Sequence, residues 1–114
     1  MNPERRIYPR INVSIPGEVE DATGVSADIT ILNLSVNGVL IEGDQALAGI
    51  KPPIEGAPLE IKLHFGIEER PMHCHCRVVY AQRQSQHCLR YGLTILSIDH
   101  EAHSALDSYV MSKL

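Results

Sequence analysis

Apolar and polar residues alternate along most of the chain up to Ile98. In INVSI, Ile11, Val13 and Ile15 interleave with Asn12 and Ser14, the period of a half-buried strand. Pro16-Gly17 predicts a bulge or bend, with the strand resuming through Val19. DATG at 21–24 reads as a turn. Residues 27–42 read as a hairpin: Ile29 and Ile31 face one way, Thr30 and Leu32 the other. Asn37-Gly38 marks its tight turn, for which positive φ is expected. Residues 43–57 form a loop, and Leu59, Ile61, Leu63 and Phe65 alternate inward in the next strand. GIEERP at 66–71 is a turn or loop. The strand over 72–81 puts Cys74, Cys76, Val78 and Tyr80 on one face and His73, His75, Arg77 and Val79 on the other. QRQSQ is a polar turn before a last strand over 88–98.

The period then changes. Asp99 is a good N-cap, and Ala102, Leu106, Tyr109, Val110 and Leu114 recur near helical spacing, which predicts one amphipathic C-terminal helix. The chain thus predicts an all-β fold in the main: six antiparallel strands closing into a β-barrel, with a C-terminal α-helix. Closure removes exposed strand edges. The expected organisation is an N-terminal arm at 1–10, a barrel at 11–98, and a helix of the same domain at 99–114.

Size and charge narrow the functions open to it. At 114 residues the chain fits one domain. No signal-peptide stretch or membrane-length apolar run is visible, so a soluble, cytoplasmic protein without membrane insertion is expected. The net charge of −4 argues against DNA or RNA as a partner. The charge is unevenly spread, however. Arg5, Arg6 and Arg10 against Glu4 leave residues 1–10 at +2, and no further Lys or Arg occurs until Lys51. A net-negative body repels an anion at long range, so only such a local cluster can attract one. Nucleophile elbows, P-loops and dinucleotide fingerprints are missing, and the acidic residues are scattered, so no enzyme is expected.

Two short elements carry chemistry. Guanidinium groups at 5, 6 and 10 match phosphates bidentately, match the O6 and N7 edge of guanine, and stack on flat rings. Taken alone, they read first as a solvated basic tail. In NLSVNG, Asn33 and Ser35 are two apart and, in a strand, share a face able to meet a purine edge, while Gly38 permits the return of the chain. Alone, this is a plain hairpin whose Asn and Ser satisfy nearby backbone.

Together, Arg6-x-x-x-Arg10 followed some twenty residues later by Asn33-x-Ser35-x-x-Gly38 resembles the paired signature of the PilZ family of bacterial domains. The resemblance extends to the barrel order, to the final strand pair and to the helix. It implies a receptor for the second messenger cyclic di-GMP, bound as one molecule or a stacked pair and with no other cofactor. Arg5, Arg6 and Arg10 would clamp phosphates and guanines, Asn33 and Ser35 a guanine edge, and Gly38 would permit close approach. Ordering of the arm would relay the signal to an unknown downstream protein. The outputs implied are motility, biofilm, surface polysaccharide and virulence. Tyr80 stands where some relatives place a stacking aromatic, and a core tyrosine is the equal alternative. Arg77, Arg83 and Arg90 are auxiliary candidates or solvated surface. The alternatives are a PilZ-like protein-interaction module, such as a pilus or motility accessory, that needs no nucleotide, or a zinc module using Cys74, Cys76 and Cys88. Against zinc, the cysteine spacing fits no finger, and the strand period turns Cys74 and Cys76 into the core.

Overall fold

A computed structural model describes residues 8–114. Its strands are β1 (Ile11–Glu20), β2 (Ser26–Leu34), β3 (Gly38–Gly43), β4 (Glu60–Ile67), β5 (Arg70–Ser85) and β6 (Cys88–Ile98). A 3-10 turn at Gln45–Gly49 lies between β3 and β4, and helix α1 spans His100–Ser112. The strands close into a barrel in the order β1-β2-β3-β6-β5-β4, every pair antiparallel. The inward positions of the alternation make the core. Val19, Ile31, Leu34, Ile41, Ile61, Leu63, Met72 and Cys76 are fully buried, with Leu47 from the 3-10 turn.

β1 pairs with β4 only over Gly17–Glu20, so the first half of β1 has no β4 partner. Helix α1 lies beside that gap. Its Tyr109, with the C-cap Lys113, lines a recess with Arg10–Ile15, and Ala105 and Ser108 line another with Ile67 and Arg70. Asp99 caps the helix by accepting from the Ala102 N–H at 3.2 Å. Ala102, Leu106 and Val110, one turn apart, are buried in the core. Leu114 falls beyond the helix and is exposed, so the apolar stripe ends at Val110, with Tyr109 half-buried.

Several expected boundaries shift. β1 runs straight through Pro16-Gly17, and its irregularity lies between Asn12 and Ile15. The 66–71 loop shrinks to a two-residue turn, because Ile67 pairs with Arg70. Glu68 and Glu69 take φ of 49° and 70° there, the left-handed pair of a primed hairpin turn. QRQSQ is not a turn as a whole: β5 continues through Ser85, and only Gln86 and His87 connect to β6. At the same end of the barrel as the 86–87 connection, Asp21 ties two loops together. Its carboxylate accepts from the Thr23 hydroxyl (2.6 Å), from the Thr23 and Val25 N–H groups, and from the Lys51 N–H across the chain. These bonds, the Thr23 hydroxyl foremost, hold its pKa down at about 2. Among the described residues no helix is long and apolar enough to cross a membrane.

Candidate functional site

The β1–β2 register joins the two sequence elements. Ile11 pairs with Leu34 and Asn12 with Asn33, so Arg10 enters the barrel beside the 35–38 turn. Arg10 is exposed at that corner; Arg5 and Arg6 lie outside the described residues. From Asn33 the same row continues across the outer face: Asn33 pairs with Leu40, Leu40 with Gly92, and Gly92 with Tyr80. Asn12, Asn33, Leu40, Gly92 and Tyr80 therefore cross five strands, roughly 19 Å at the usual strand spacing.

Asn33 is half-buried on this face, but Ser35 does not share it. β2 ends at Leu34, and the fully buried Ser35 turns into the loop. Its hydroxyl accepts from the Gly38 N–H (3.0 Å) and the Asn37 N–H (3.3 Å) and donates to Asn37 Oδ1 (3.0 Å). The Ser35 N–H donates to the Gly38 carbonyl at 2.9 Å. This hydroxyl closes the turn. Neither Asn37 nor Gly38 has positive φ, contrary to the reading of Asn-Gly as a primed turn. Glycine suits position 38 for a different reason: a Cβ there would stand 3.2 Å from the Leu93 carbonyl oxygen on β6, a tight contact that glycine avoids. The Asn37 carbonyl in turn accepts from the Ile95 N–H at 2.9 Å, which fixes the turn against β6.

Tyr80 is not a core residue. Val79 is an extra residue between the Val78–Leu93 and Tyr80–Gly92 pairs, and it reverses the phase that would have turned Tyr80 inward. Tyr80 is 48% exposed, and its ring lies over Gly92, where a Cβ would overlap Cε1. The auxiliary arginines are engaged elsewhere. Arg77 donates to Glu60 (3.0 Å), Arg90 to Glu42 (2.8 Å), and Arg83 to the Gln86 carbonyl (3.1 Å). The Arg90 bond holds the Glu42 carboxyl below the usual carboxylate range.

The thiols do not gather. Cys74 and Cys76 are buried with their sulfurs 3.6 Å apart, whereas Cys88 pairs with Ser85 at the opposite end of β5 and β6. The neighbouring Cys74 sulfur, then burial, push the Cys76 thiol up. Among the described residues no cluster of three or more His, Cys, Asp or Glu forms a metal cage, so the three-cysteine zinc reading fails on geometry. The sequence reading missed the pairings on the opposite outer face. There His64 meets His73 and Glu20, and His75 meets Glu60. The alternation that turned the histidines outward was the available signal; the strand register was not.

A model of the PilZ domain matches residues 4–112. The chain belongs to the PilZ domain family. Solved structures agree in fold at low identity. The PilZ domain of CeSA from a cellulose-synthesising bacterium is 16% identical, covering 91% of this chain and 96% of that one, with a TM-score of 0.66. The c-di-GMP complex of the YcgR PilZ domain from Escherichia coli is 13% identical, covering 96% and 92%, with a TM-score of 0.71. The Bacillus subtilis inhibitor of motility MotI/DgrA is 15% identical with a TM-score of 0.74; the match covers 96% of this chain and 51% of that protein. Among curated proteins there is no match. PilZ domains are ligand-binding receptor domains and generally not enzymes, and the six-stranded barrel with its C-terminal helix agrees with these neighbours.

Proposed function

We propose that this PilZ domain is a receptor for cyclic di-GMP that relays ligand occupancy to a partner protein through its N-terminal arm. The observation that carries the reading is the β1–β2 register. With Asn12 opposite Asn33, the basic arm is rooted beside the Ser35–Gly38 turn and at one end of the row that leads to Tyr80. Arg5, Arg6 and Arg10 take the phosphates and guanine faces. Asn33 meets a guanine edge, and Tyr80 offers a ring to a base. Ser35 contributes by holding the turn, and Gly38 by letting the turn lie close on β6.

The energies are adequate. Micromolar affinity requires about 8 kcal/mol. Hydrogen bonds to charged groups supply roughly 1.5–3 kcal/mol each. Three arginines with base contacts therefore suffice even after several kcal/mol are spent ordering the arm. One arginine does not. Ligand then closes the arm over the barrel and changes the surface offered to a cytoplasmic partner.

Calorimetric titration of the full chain with cyclic di-GMP tests the reading and gives the stoichiometry, one molecule or a stacked pair. Arg6→Ala and Arg10→Ala should each abolish measurable binding while the melting temperature holds. Parental affinity in either variant overturns the assignment, and a parent chain that takes up no nucleotide favours the nucleotide-independent interaction module.

A further inference from the structure

The outer face of β1, β4 and β5, away from the row between Asn33 and Tyr80, carries a second constellation. Glu18 pairs with His64, and His64 with His73, so three side chains line up across three strands. The two imidazoles meet edge to face, with centroids 4.9 Å apart and Nδ1 atoms 2.7 Å apart. On its other side, His64 Nε2 lies 3.0 Å from Glu20 Oε1. A carboxylate only accepts, so His64 Nε2 carries a proton. In neutral His64 the Nδ1 is then a bare lone pair aimed at His73. The contact between the two Nδ1 atoms holds a single proton, because two N–H groups cannot face each other at this distance. A carboxylate that fixes the tautomer of an imidazole and points its free nitrogen at a second imidazole is the arrangement that metal-binding histidines use.

We propose that His64 and His73 chelate a borderline divalent transition ion of the Ni²⁺, Cu²⁺ or Zn²⁺ class, with Glu20 orienting His64. Imidazole nitrogens suit these ions. Metal–nitrogen bonds of about 2.0–2.1 Å put two ligating nitrogens roughly 3.0 Å apart at a right angle and 3.4 Å apart at the tetrahedral angle. The present separation opens to either by small side-chain rotations. To free its Nδ1 for the ion, His73 takes the tautomer that carries its proton on Nε2. Among the described residues no third protein donor completes a cage, so water fills the remaining positions. The site borders a recess of about 430 Å³ whose lining includes Lys62, His75 and Asp99. The Lys62 charge opposes the ion. Asp99 already accepts from the Ala102 N–H.

The test is titration of the tag-free full chain with NiCl2 and ZnCl2. One ion should bind per chain. His64→Asn and His73→Asn should each weaken binding at least tenfold, and Glu20→Gln by about tenfold, the usual effect of losing an orienting partner. The exposed His100 and His103, three apart on α1, are the competing pair, and a His100→Asn/His103→Asn variant should bind as the parent does. In the parent, Ni²⁺ should broaden amide resonances around 64 and 73 first, a readout that needs no variant to fold. No uptake below millimolar ion, survival of binding in His64→Asn and His73→Asn, or first broadening around 100–103 would overturn the proposal. Nucleotide titration does not involve this face, so the two proposals fail independently.

Discussion

Replacing Gly92 by alanine isolates one packing contact, because the three atoms nearest the new methyl all belong to Tyr80. The Cβ would overlap Cε1 of that ring and lie 2.5 and 2.6 Å from Cζ and Cδ1. The ring must leave. Tyr80 is 48% exposed, so about half of its surface is covered. Aromatic residues bury 150–250 Å² in full, which makes the covered part roughly 100 Å². At about 25 cal/mol per Å² its loss costs at most ~2.5 kcal/mol. Partial re-covering of the ring elsewhere on the sheet brings the expected cost to about 1–2 kcal/mol. In a Tyr80→Ala background the clash is gone, and Gly92→Ala should instead stabilise by about 0.4–1 kcal/mol through the unfolded chain. Urea titrations of the four proteins in the cycle measure both numbers, with the m-value as a check on two-state behaviour. An equal cost of Gly92→Ala in both backgrounds would refute the account of Tyr80. The nucleotide titrations of the same four proteins ask whether the ring also serves the ligand: Gly92→Ala and Tyr80→Ala should then weaken binding alike.

Three further outcomes are expected. Asp21 titrates at about 2 in the fold against an ordinary value of 3.8, so its contribution to stability is fully present above pH 4 and is lost as pH falls toward 2; Asp21→Asn should flatten that acid limb in urea titrations taken across this range. Glu68→Asn/Glu69→Gly supplies residues that accept φ of 49° and 70°, and should stabilise by about 1 kcal/mol or more, raising the melting temperature by roughly 4 °C or more in calorimetry. Ser35→Ala removes the acceptor of the Asn37 and Gly38 N–H groups and should cost about 1–3 kcal/mol in chemical denaturation; an unchanged midpoint would mean that the hydroxyl does not hold the turn.

The strands, the helix and most of the core are legible in the sequence because burial on one face imposes a period of two, and on one helix stripe a period near four. Ile29, Ile31, Ile61, Leu63 and Phe65 are buried as that period requires. β5 beyond Tyr80 is not legible, since Ala81 to Ser85 are exposed and no apolar alternation remains to be read. Asn37-Gly38 misleads, because its preference for positive φ yields to a nearby hydroxyl that closes the turn with ordinary backbone angles. Glu68-Glu69 gives no sign of a left-handed turn, because both residues disfavour it and only the short Ile67–Arg70 pairing enforces it. The histidine pairs are invisible for a related reason. Alternation says which face a side chain takes, and only register says which neighbour it meets.

The outward row that joins Asn33 to Tyr80 owes its direction to two irregularities. On β3, Leu40 and Ile41 are consecutive; their partners on β2 are Asn33 and Ile31, with Leu32 between them. Their counterparts on β1 are Asn12 and Ile15, with two residues between. Each strand toward β1 thus carries one residue more than its neighbour. Without Leu32 as the extra residue, Asn33 would fall in phase with Ile31 and point into the core. Were Val79 paired with Gly92 instead of standing extra, Tyr80 would follow Cys74, Cys76 and Val78 inward. A bulge bends its strand and re-aims the side chains beyond it, so the same two insertions that defeat the period-two reading bring an amide and an aromatic ring out onto one face. Deleting Val79 removes the extra residue and sets Tyr80 directly after Val78, so Tyr80 should stay opposite Gly92 and outward in a regular β5–β6 ladder. Quenching of tyrosine fluorescence by acrylamide should therefore be the same in that deletion, in Val79→Ala and in the parent. Loss of quenching in the deletion alone would show that Val79 is not the residue that sets the direction of Tyr80.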